Sequence, residues 1–328
     1  MPRIIPAAQT FQLCHSSFNR LHLQRKEDCK VTSPVRVAAL FIYDTNARAL
    51  QLGSGKNVPM KTIITLTTIP PRFSAILPTL HSLCEQNADI SRILLTIPRA
   101  YRKRAFQPAS LPPLPDRVEI FDCDEDFGPA TKVLPAALHF KNEDVRIIYC
   151  DDDRVYNSDW ASRLMALSDE MPDKCIVDAG DPVSAIDARA AWNSQVNQRL
   201  NDLSLGLYGK SHRRRVRRMI PASGIVDIAK GYGGVLIRPE FLHPAVFDIP
   251  DAYWAVDDIW LSGHLALNGT QIHKSGPVPR SRPMKVAKRF ALLDLEMEGH
   301  GRDSLNLACV DHFRRTHGIW GESGPQKV

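Results

Sequence analysis

Short runs of β-branched and aliphatic residues alternate along residues 61–275 with stretches in which apolar residues recur at helical spacing. The runs of the first kind cover residues 62–68, 92–98, 117–123 and 146–150. Between the first two runs, the apolar residues from Phe73 to Cys84 fall on one face of a helix. Strands separated by helices or loops predict an α/β fold, here a single domain with a mostly parallel central sheet flanked by helices.

The two ends of the chain lack this pattern. Residues 1–60 show no sustained period, and their first 26 residues contain no acidic side chain, which is typical of a transit peptide or of a start codon placed too early. We favour the second interpretation and expect a poorly ordered, dispensable extension with a weak hairpin at 35–52. Beyond residue 275 the sequence is basic and interrupted by proline, so residues 276–328 are expected to form a peripheral tail.

Composition limits the classes of function. The chain of 328 residues carries a net charge of +6 and has a pI near 8.9, which suits an anionic ligand but is too weak to indicate nucleic-acid binding. Its seven cysteines include no CxxC pair, as expected for free thiols in a reducing compartment. No apolar run is long enough to cross a membrane, so we expect a cytoplasmic protein.

Three consecutive carboxylates, Asp151, Asp152 and Asp153, follow the fourth apolar run. In an open α/β sheet, ligands bind beyond the carboxyl ends of the strands. Hard oxygen ligands at that place suit Mg²⁺ or Mn²⁺, which would bridge to the phosphate oxygens of a substrate. If the extended geometry persists, residues 151 and 153 point one way and residue 152 points the other. The alternative is a solvated acidic turn that caps the next helix.

Other polar segments stand where helices or turns are predicted. Residues 128–132, Gly-Pro-Ala-Thr-Lys, end in Lys132 at a helix start, which is either an anion site or an ordinary helix cap. Asp257 and Asp258 open a later helix, where the dipole favours carboxylates whatever their function. The glycine-rich residues 231–234 form a tight turn at which backbone can approach a ligand closely.

Residues 180–220 are predicted to be irregular and polar, and they end in a basic run that includes Arg213–Arg218. Such a run usually forms a solvated face or a mobile loop. It could also receive a phosphate-bearing acceptor or lie against anionic lipid, in which case the protein would be peripheral to the inner face of a membrane.

Taken together, these segments resemble the nucleotide-sugar glycosyltransferases of the GT-A fold, especially bacterial family-2-like members. The matching segments are 67–72 (TTIPPR), 128–132 (GPATK), 151–153 (DDD), 230–234 (KGYGG) and 257–260 (DDIW). They occur in the family's order, and the acidic triplet matches its DXD element. The resemblance implies a GT-A-like, Rossmann-like domain over residues 61–275. Residues 180–220, where acceptor specificity is usually set, match nothing, so the acceptor stays open.

The resemblance also implies a reaction and a set of roles. It implies a metal-dependent, inverting transfer of a sugar from a nucleotide-sugar donor to a hydroxyl acceptor such as a glycan or glycolipid precursor. Asp258 would be the catalytic base, with Asp257 beside it. The metal, Mn²⁺ or Mg²⁺, would be held by Asp151, Asp152 and Asp153, and His273 would be an added ligand. The residues implied to bind the donor are Thr68, Arg72, Asp122, Asp124, Lys132, Asp151, Asp152, Gly233 and Gly234.

Two other classes of function are weighed against this one. A nucleotidyltransferase on a related fold would need a glycine-rich phosphate loop after the first strand, whereas this chain has Pro70 and Pro71 there. A non-catalytic sugar-binding relative would have no need of carboxylates at both the triplet and the late pair.

Overall fold

The computed structural model describes residues 60–102, 106–198, 205–284 and 302–321. The predicted extension, with its hairpin at 35–52, therefore lies outside the described residues. The strands of the described part are β1 Lys61–Thr67, β2 Arg92–Pro98, β3 Val118–Cys123, β4 Val145–Tyr149, β5 Arg154–Val155, β6 Cys175–Val177, β7 Gly180–Asp181, β8 Gly224–Val226, β9 Ile228–Ala229, β10 Val235–Ile237, β11 Ile272–Lys274 and β12 Arg282–Pro283.

The helices alternate with these strands through most of the described chain. They are α1 Leu77–Cys84, α2 Leu134–His139, α3 Trp160–Glu170, α4 Val183–Gln198, α5 Leu205–Met219, α6 Asp257–Leu267 and α7 Arg302–His317. Short 3-10 turns, among them Pro70–Ala75 and Gly128–Lys132, lead into α1 and α2. Proline at the start of each turn has its φ angle already set for a helical start.

Eight strands of the described residues form one sheet, in the order β3-β2-β1-β4-β10-β6-β11-β8. The first four are parallel to one another. Strand β10 runs antiparallel to both β4 and β6, and β11 is parallel to β6. Within this sheet, all strands except β10 and β8 therefore run in one direction. The predicted α/β fold with a mostly parallel central sheet is confirmed, and its four apolar runs became β1 to β4.

Helices cover both faces of this sheet. Alternation along β1 sends Ile63 to one face and Ile64 to the other, and both side chains are fully buried. Ile64 packs with the apolar residues of α1 and α3. Ile63 packs on the side of α2, α6 and α7. The sheet is thus the middle layer of three, which leaves the strand ends as the open edge.

Two expectations about secondary structure were wrong. Residues 183–198 and 205–219 form helices α4 and α5, although they were predicted to be irregular. Alanine-rich and straight-chain polar residues favour helix even where the apolar stripe is too faint to reveal one. The expected peripheral tail likewise does not hold for α7, because Phe313 is fully buried in the main core. A Cβ at Gly263 of α6 would overlap the Phe313 ring, so glycine permits this close packing.

Candidate active site

The carboxyl ends of β1, β2 and β4 open into one cavity of about 1380 Å³. These strands are parallel neighbours, so their carboxyl ends meet at the same edge of the sheet, where α/β proteins bind ligands. The cavity is larger than the 300–1,000 Å³ typical of a single small-molecule site. It is therefore large enough to hold two substrates side by side.

The acidic triplet follows β4 at this edge. Cys150 is fully buried, and the Tyr156 hydroxyl bonds both the N–H and the carbonyl of Asp151 at 3.2 Å, which holds the turn. The side chains of Asp151 and Asp153 are 33% and 25% exposed, whereas that of Asp152 is only 5% exposed. The outer two carboxylates therefore reach the cavity more than the middle one does.

Arg72 and Thr68 hold the triplet from the end of β1. The Arg72 guanidinium contacts Asp152 Oδ1 and Asp153 Oδ2, each at 2.7 Å. The Thr68 hydroxyl donates to Asp152 Oδ2 at 2.5 Å. Burial raises the pKa of Asp152 to about 6, against the opposing effects of Arg72 and Thr68. Thr68 and Arg72 line the cavity as expected, but Arg72 is committed to two aspartates.

Lys132 joins the triplet to the start of α6. Its ammonium lies 2.6 Å from Asp151 Oδ1 and 2.8 Å from Asp257 Oδ2, and only 6% of its side chain is exposed. Burial alone would lower the pKa of Lys132, but the aspartates around it raise the pKa well above its ordinary value. Two carboxylates of the protein itself, Asp151 and Asp257, are therefore the anions that Lys132 binds. A Cβ at Gly231 would overlap the ammonium, so the turn needs glycine there.

The two aspartates of α6 have different surroundings. Asp257 is 3% exposed, and burial, which Lys132 opposes, raises its pKa. Asp258 is 15% exposed and accepts a hydrogen bond from the Gly231 N–H at 3.0 Å. Burial opposes ionisation of Asp258, but Lys230, Lys132 and Arg302 outweigh it and lower its pKa. Both aspartates line the cavity, and Asp258 is the more exposed of the two and the one whose pKa is lowered.

Two acidic residues predicted to bind the donor do not line this cavity. Asp122 is exposed on β3, and the 85% exposed side chain of Asp124 pairs with Arg99 at 2.5 Å. Asp126 takes that place: it is buried, lines the cavity and accepts 2.8 Å bonds from the N–H groups of Arg102 and Gly128. An aspartate two residues before a glycine is typical of an Asx turn, and this signal could have identified it.

The late glycines have structural roles. The Gly233 carbonyl accepts a 2.8 Å bond from the Trp160 indole N–H, and a Cβ at Gly233 would overlap Ala179. Gly234 has a φ of 90° and packs directly on the Trp160 ring. Neither glycine is among the described residues that line the cavity. The expectation that they bind the donor is therefore not supported by their position.

Histidine does not join the triplet. His273 lies on β11 between Ile176 of β6 and Ile225 of β8, and it is not among the described residues that line the cavity. We therefore remove His273 from the expected metal ligands. His264, on α6, is buried against Trp260 and Phe313 with ring centroids 4.5 and 5.4 Å away.

Two carboxylates, Asp151 and Asp153, fit a divalent ion that is shared with a substrate. In the described part of the chain, no three His, Cys, Asp or Glu side chains cluster so as to hold a metal by themselves. Mg²⁺ is usually bound by one or two carboxylates together with substrate phosphates, not by an all-protein cage. Lys132 and Arg72 each engage one oxygen of Asp151 and Asp153, so the second oxygen of each carboxylate fits that mode. Both oxygens of Asp152, by contrast, are already bonded by Arg72 and Thr68.

The cavity also carries functional candidates on elements that the sequence patterns did not predict. Helices α4, α5 and α7, none of which was predicted, place cationic and aromatic side chains in one part of the cavity lining, which we call the cationic end. Arg154, after the triplet, stacks on Tyr232 with its guanidinium carbon 4.6 Å from the ring centroid. The other basic residues that line this end are Arg189, Arg213, Arg217, Lys274, Arg280 and Arg302.

No protein-family model matches the chain, and no curated protein matches it. Among solved structures, the chain is similar to S. aureus TarS 1–349, with 12% sequence identity, a TM-score of 0.39 and coverage of 81% of this chain and 76% of that one. A second structure of S. aureus TarS gives 12% identity, a TM-score of 0.37 and coverage of 80% of this chain and 44% of that one. The function proposed below therefore rests on the geometry of the site.

None of the helices in the described ranges combines the length and the apolar character that crossing a bilayer requires.

Proposed function

We propose that the protein is a metal-dependent glycosyltransferase that moves a sugar from a nucleoside-diphosphate sugar to a hydroxyl acceptor with inversion. One observation carries this proposal. A single cavity at the carboxyl edge of a parallel sheet contains the exposed carboxylates Asp151 and Asp153 and, at the start of α6, the ionised carboxylate of Asp258. The first two suit a cation shared with a diphosphate, and the third suits a base.

The donor diphosphate belongs at the triplet. Asp151 and Asp153 would hold Mn²⁺ or Mg²⁺, which when bound supplies positive charge to the leaving diphosphate. Arg72 and Thr68 fix the triplet from below, so the exposed carboxylates are held in place before the donor arrives. Asp126 and the turn at Gly128 also line the cavity and would contact the nucleoside.

Asp258 is the group that would accept the proton. The acceptor hydroxyl oxygen forms a bond to the anomeric carbon while the bond from that carbon to the diphosphate oxygen breaks. The bonding electron pair leaves with the diphosphate, and the hydroxyl proton passes to the Asp258 carboxylate. Attack on the face opposite the leaving group inverts the anomeric configuration. The Gly231 N–H fixes one carboxylate oxygen at 3.0 Å and leaves the other for the acceptor.

Asp257 would act through Lys132. Its carboxylate is buried and paired with the ammonium that also contacts Asp151, so it keeps the triplet and α6 in register. Asp257 is therefore a positioning residue in this proposal, and Asp258 is the catalytic one.

A screen of donor hydrolysis with several nucleotide sugars and Mn²⁺ tests the proposal. We expect one donor to be hydrolysed, and EDTA to abolish that reaction. Hydrolysis of none of them would contradict the glycosyltransferase proposal and favour a binding protein, whereas cleavage of a nucleoside triphosphate would favour a nucleotidyltransferase.

The base is tested by one substitution and its neighbour. Asp258→Asn should lower the rate of transfer by about 10²–10⁴-fold while leaving donor affinity and melting temperature nearly unchanged. Asp257→Asn should lower the melting temperature as well, because it leaves Lys132 with one partner fewer. Transfer at the wild-type rate by Asp258→Asn would show that the base is another residue.

A further inference from the structure

The cationic end of the cavity is lined mainly by basic side chains. It is formed by α4, α5, the residues after β11 and the start of α7. Asp181, the acidic residue of β7 in this part of the cavity, is already paired with Arg189 at 2.8 Å. Asp303 of α7 accepts a hydrogen bond from Asn193 at 2.5 Å. The asparagine leaves the charge of Asp303 in place, but the basic residues that line this end outnumber Asp181 and Asp303, so the surplus charge is positive.

Helix α5 divides its basic run between two faces. The residues of α5 and its end that line the cavity are His212, Arg213, Val216, Arg217 and Ile220, which recur at helical spacing. Arg214 and Arg218, each one residue further along, do not line the cavity, although all four arginines are exposed. Two arginines with the same i, i+4 spacing thus point into the cavity, and two point away from it.

Four cavity-facing arginines of this end have no carboxylate within ion-pair distance in the described part of the chain. Arg213, Arg217, Arg280 and Arg302 form no ion pair with any residue of the described ranges. At the triplet end, by contrast, Arg72 and Lys132 are both paired with aspartates. Like charges gathered in a cavity repel one another and create a field that attracts anions. A neutral hydroxyl acceptor would make no use of that field.

This cationic end adjoins the proposed base. Arg302 is close enough to Asp258 to contribute to the lowered pKa of that carboxylate. Lys230 lies 3.8 Å from Asp258 and 3.9 Å from Asp181, so it connects the base with the acids of this region. A molecule bound here would therefore bring a hydroxyl to Asp258 and keep its other groups among the arginines.

We propose that the acceptor is anionic and carries a phosphate group that binds among Arg213, Arg217, Arg280 and Arg302. That the bound anion is an acceptor rests on the proposed function, whereas the anion site itself does not. Arginine binds phosphate through two parallel hydrogen bonds, which suits a phosphomonoester or a phosphodiester. The phosphate source is either a soluble phosphorylated sugar or the diphosphate of a lipid-linked sugar.

The anion site is tested by binding of inorganic pyrophosphate to the full chain in low salt with EDTA, so that no divalent ion bridges the probe to Asp151 and Asp153. The matched variants are Arg213→Gln/Arg217→Gln and Arg214→Gln/Arg218→Gln, which remove the same charge at the same spacing from two faces of α5, the cavity face and the one that does not line the cavity. Charge-assisted bonds of this kind change affinity by at least about tenfold each. We expect the first pair to weaken binding by about 100-fold and the second to leave it unchanged.

Equal binding by all three proteins, or a larger loss in the Arg214/Arg218 pair, would overturn the inference. If the Arg213/Arg217 pair fails to fold, Arg280→Gln replaces it, because Arg280 is exposed and has no ion pair among the described residues. Suppose that Arg213→Gln/Arg217→Gln weakens pyrophosphate binding, Arg214→Gln/Arg218→Gln does not, and no donor is hydrolysed. That result would support the anion site and contradict the proposed function. If a donor is hydrolysed but the two double variants bind pyrophosphate equally well, the proposed function is supported and the anion site is contradicted.

The source of the phosphate is separated by transfer assays with two acceptors, a soluble sugar phosphate and a prenyl-diphosphate sugar in detergent, each beside its dephosphorylated form. Product from either phosphorylated acceptor alone supports the inference and identifies the source. Equal transfer to the dephosphorylated forms would overturn it.

Discussion

At the scale of single residues, Lys132 connects more of the site than any other side chain. Its buried ammonium contacts Asp151 after β4 and Asp257 at the start of α6. A buried pair gains little over an apolar replacement of the whole group, but removing one partner leaves uncompensated charge. Lys132 is thus expected to govern stability as well as the placement of the two carboxylates.

Lys132→Met should lower the free energy of unfolding by about 3–5 kcal/mol, because it leaves the Asp257 carboxylate buried without its cation. The double variant Lys132→Met/Asp257→Asn should recover part of that loss, and chemical denaturation of both variants measures it. Lys210→Met, which removes an exposed lysine of α5, is the control and should change stability by about 0.5 kcal/mol or less. A double variant that is no more stable than Lys132→Met would contradict the pairing.

His264 predicts a pH dependence of stability. The ring is buried against Trp260, and its two nitrogens have no hydrogen-bond partner. Burial, with added repulsion from His243, His317 and His312, lowers the pKa of His264 to about 3. The folded state therefore does not take up a proton that the unfolded state binds below about pH 6.5, so His264 destabilises the fold progressively as pH falls from about 6.5 towards 3.

At pH 5 the penalty from His264 should reach about 2 kcal/mol. His264→Phe removes the titrating group, so its stability should fall less between pH 7 and pH 5 than that of the wild type. Urea denaturation at both pH values checks this. His317→Phe, at an exposed ring that forms part of the same cluster, is the comparison and should leave most of the wild-type pH dependence in place. Parallel pH profiles for wild type and His264→Phe would exclude His264 as the cause.

At the scale of secondary-structure elements, α7 is held by its buried face. Cys309, Val310 and Phe313 are fully buried, and Phe313 packs against Trp260 with ring centroids 5.5 Å apart. This packing also positions Arg302, which lies at the start of the same helix. The stability of α7 is therefore linked to the cationic end of the cavity.

Phe313→Ala should destabilise the protein by about 3–5 kcal/mol, since it removes a large ring and leaves a cavity beside Gly263. Arg315→Ala changes an exposed residue of the same helix and should have an effect of about 0.5 kcal/mol or less. Thermal unfolding of both variants measures the difference. An equally small loss in Phe313→Ala would mean that α7 is not packed on the core.

The elements differ in how far their sequence reveals them. Strands β1, β2 and β4 are predictable because they are buried on both faces, so each is a nearly continuous run of apolar and β-branched residues. Strand β3 is largely exposed at the edge of the sheet, and its β-branched and aromatic residues make it recognisable. Helices α4 and α5 were missed because their cavity-facing side is polar and basic, and periodicity of apolar residues cannot detect such a face. Helix α7 was missed because its buried stripe is narrow and follows a proline-interrupted stretch.

The site shows the same division. Asp151, Asp153 and Asp258 could be proposed from sequence because their position relative to a strand end or helix start is a local property. Their partners could not be: Lys132 and Asp257 are 125 positions apart, and only tertiary packing brings the ammonium within 2.8 Å of the carboxylate. Asp126 was passed over for Asp122 and Asp124, although its position two residues before Gly128 is a local signal for a carboxylate that folds back on the turn.

At the scale of the whole molecule, the net charge of +6 conceals a separation of charge. Paired cations and aspartates surround the strand ends, whereas unpaired arginines collect at α5 and the start of α7. The outward face of α5 adds a second basic surface, formed by the exposed residues Lys210, Arg214 and Arg218 at i, i+4 spacing. This outward face, distinct from the cavity face, is the surface that could lie against anionic lipid.

We predict that the outward face of α5 binds vesicles that contain phosphatidylglycerol and that this binding weakens as salt rises, because screening shortens the range of the field. Each basic side chain near an anionic surface contributes about 1 kcal/mol. Replacing Lys210, Arg214 and Arg218 by Ser should therefore weaken co-sedimentation with such vesicles by about 100-fold. Arg213→Gln/Arg217→Gln is the control, since those arginines point into the cavity and should matter little to vesicle binding. Unchanged sedimentation of the triple variant would eliminate peripheral membrane contact through α5, and a loss in the control alone would assign the vesicle contact to the cavity face.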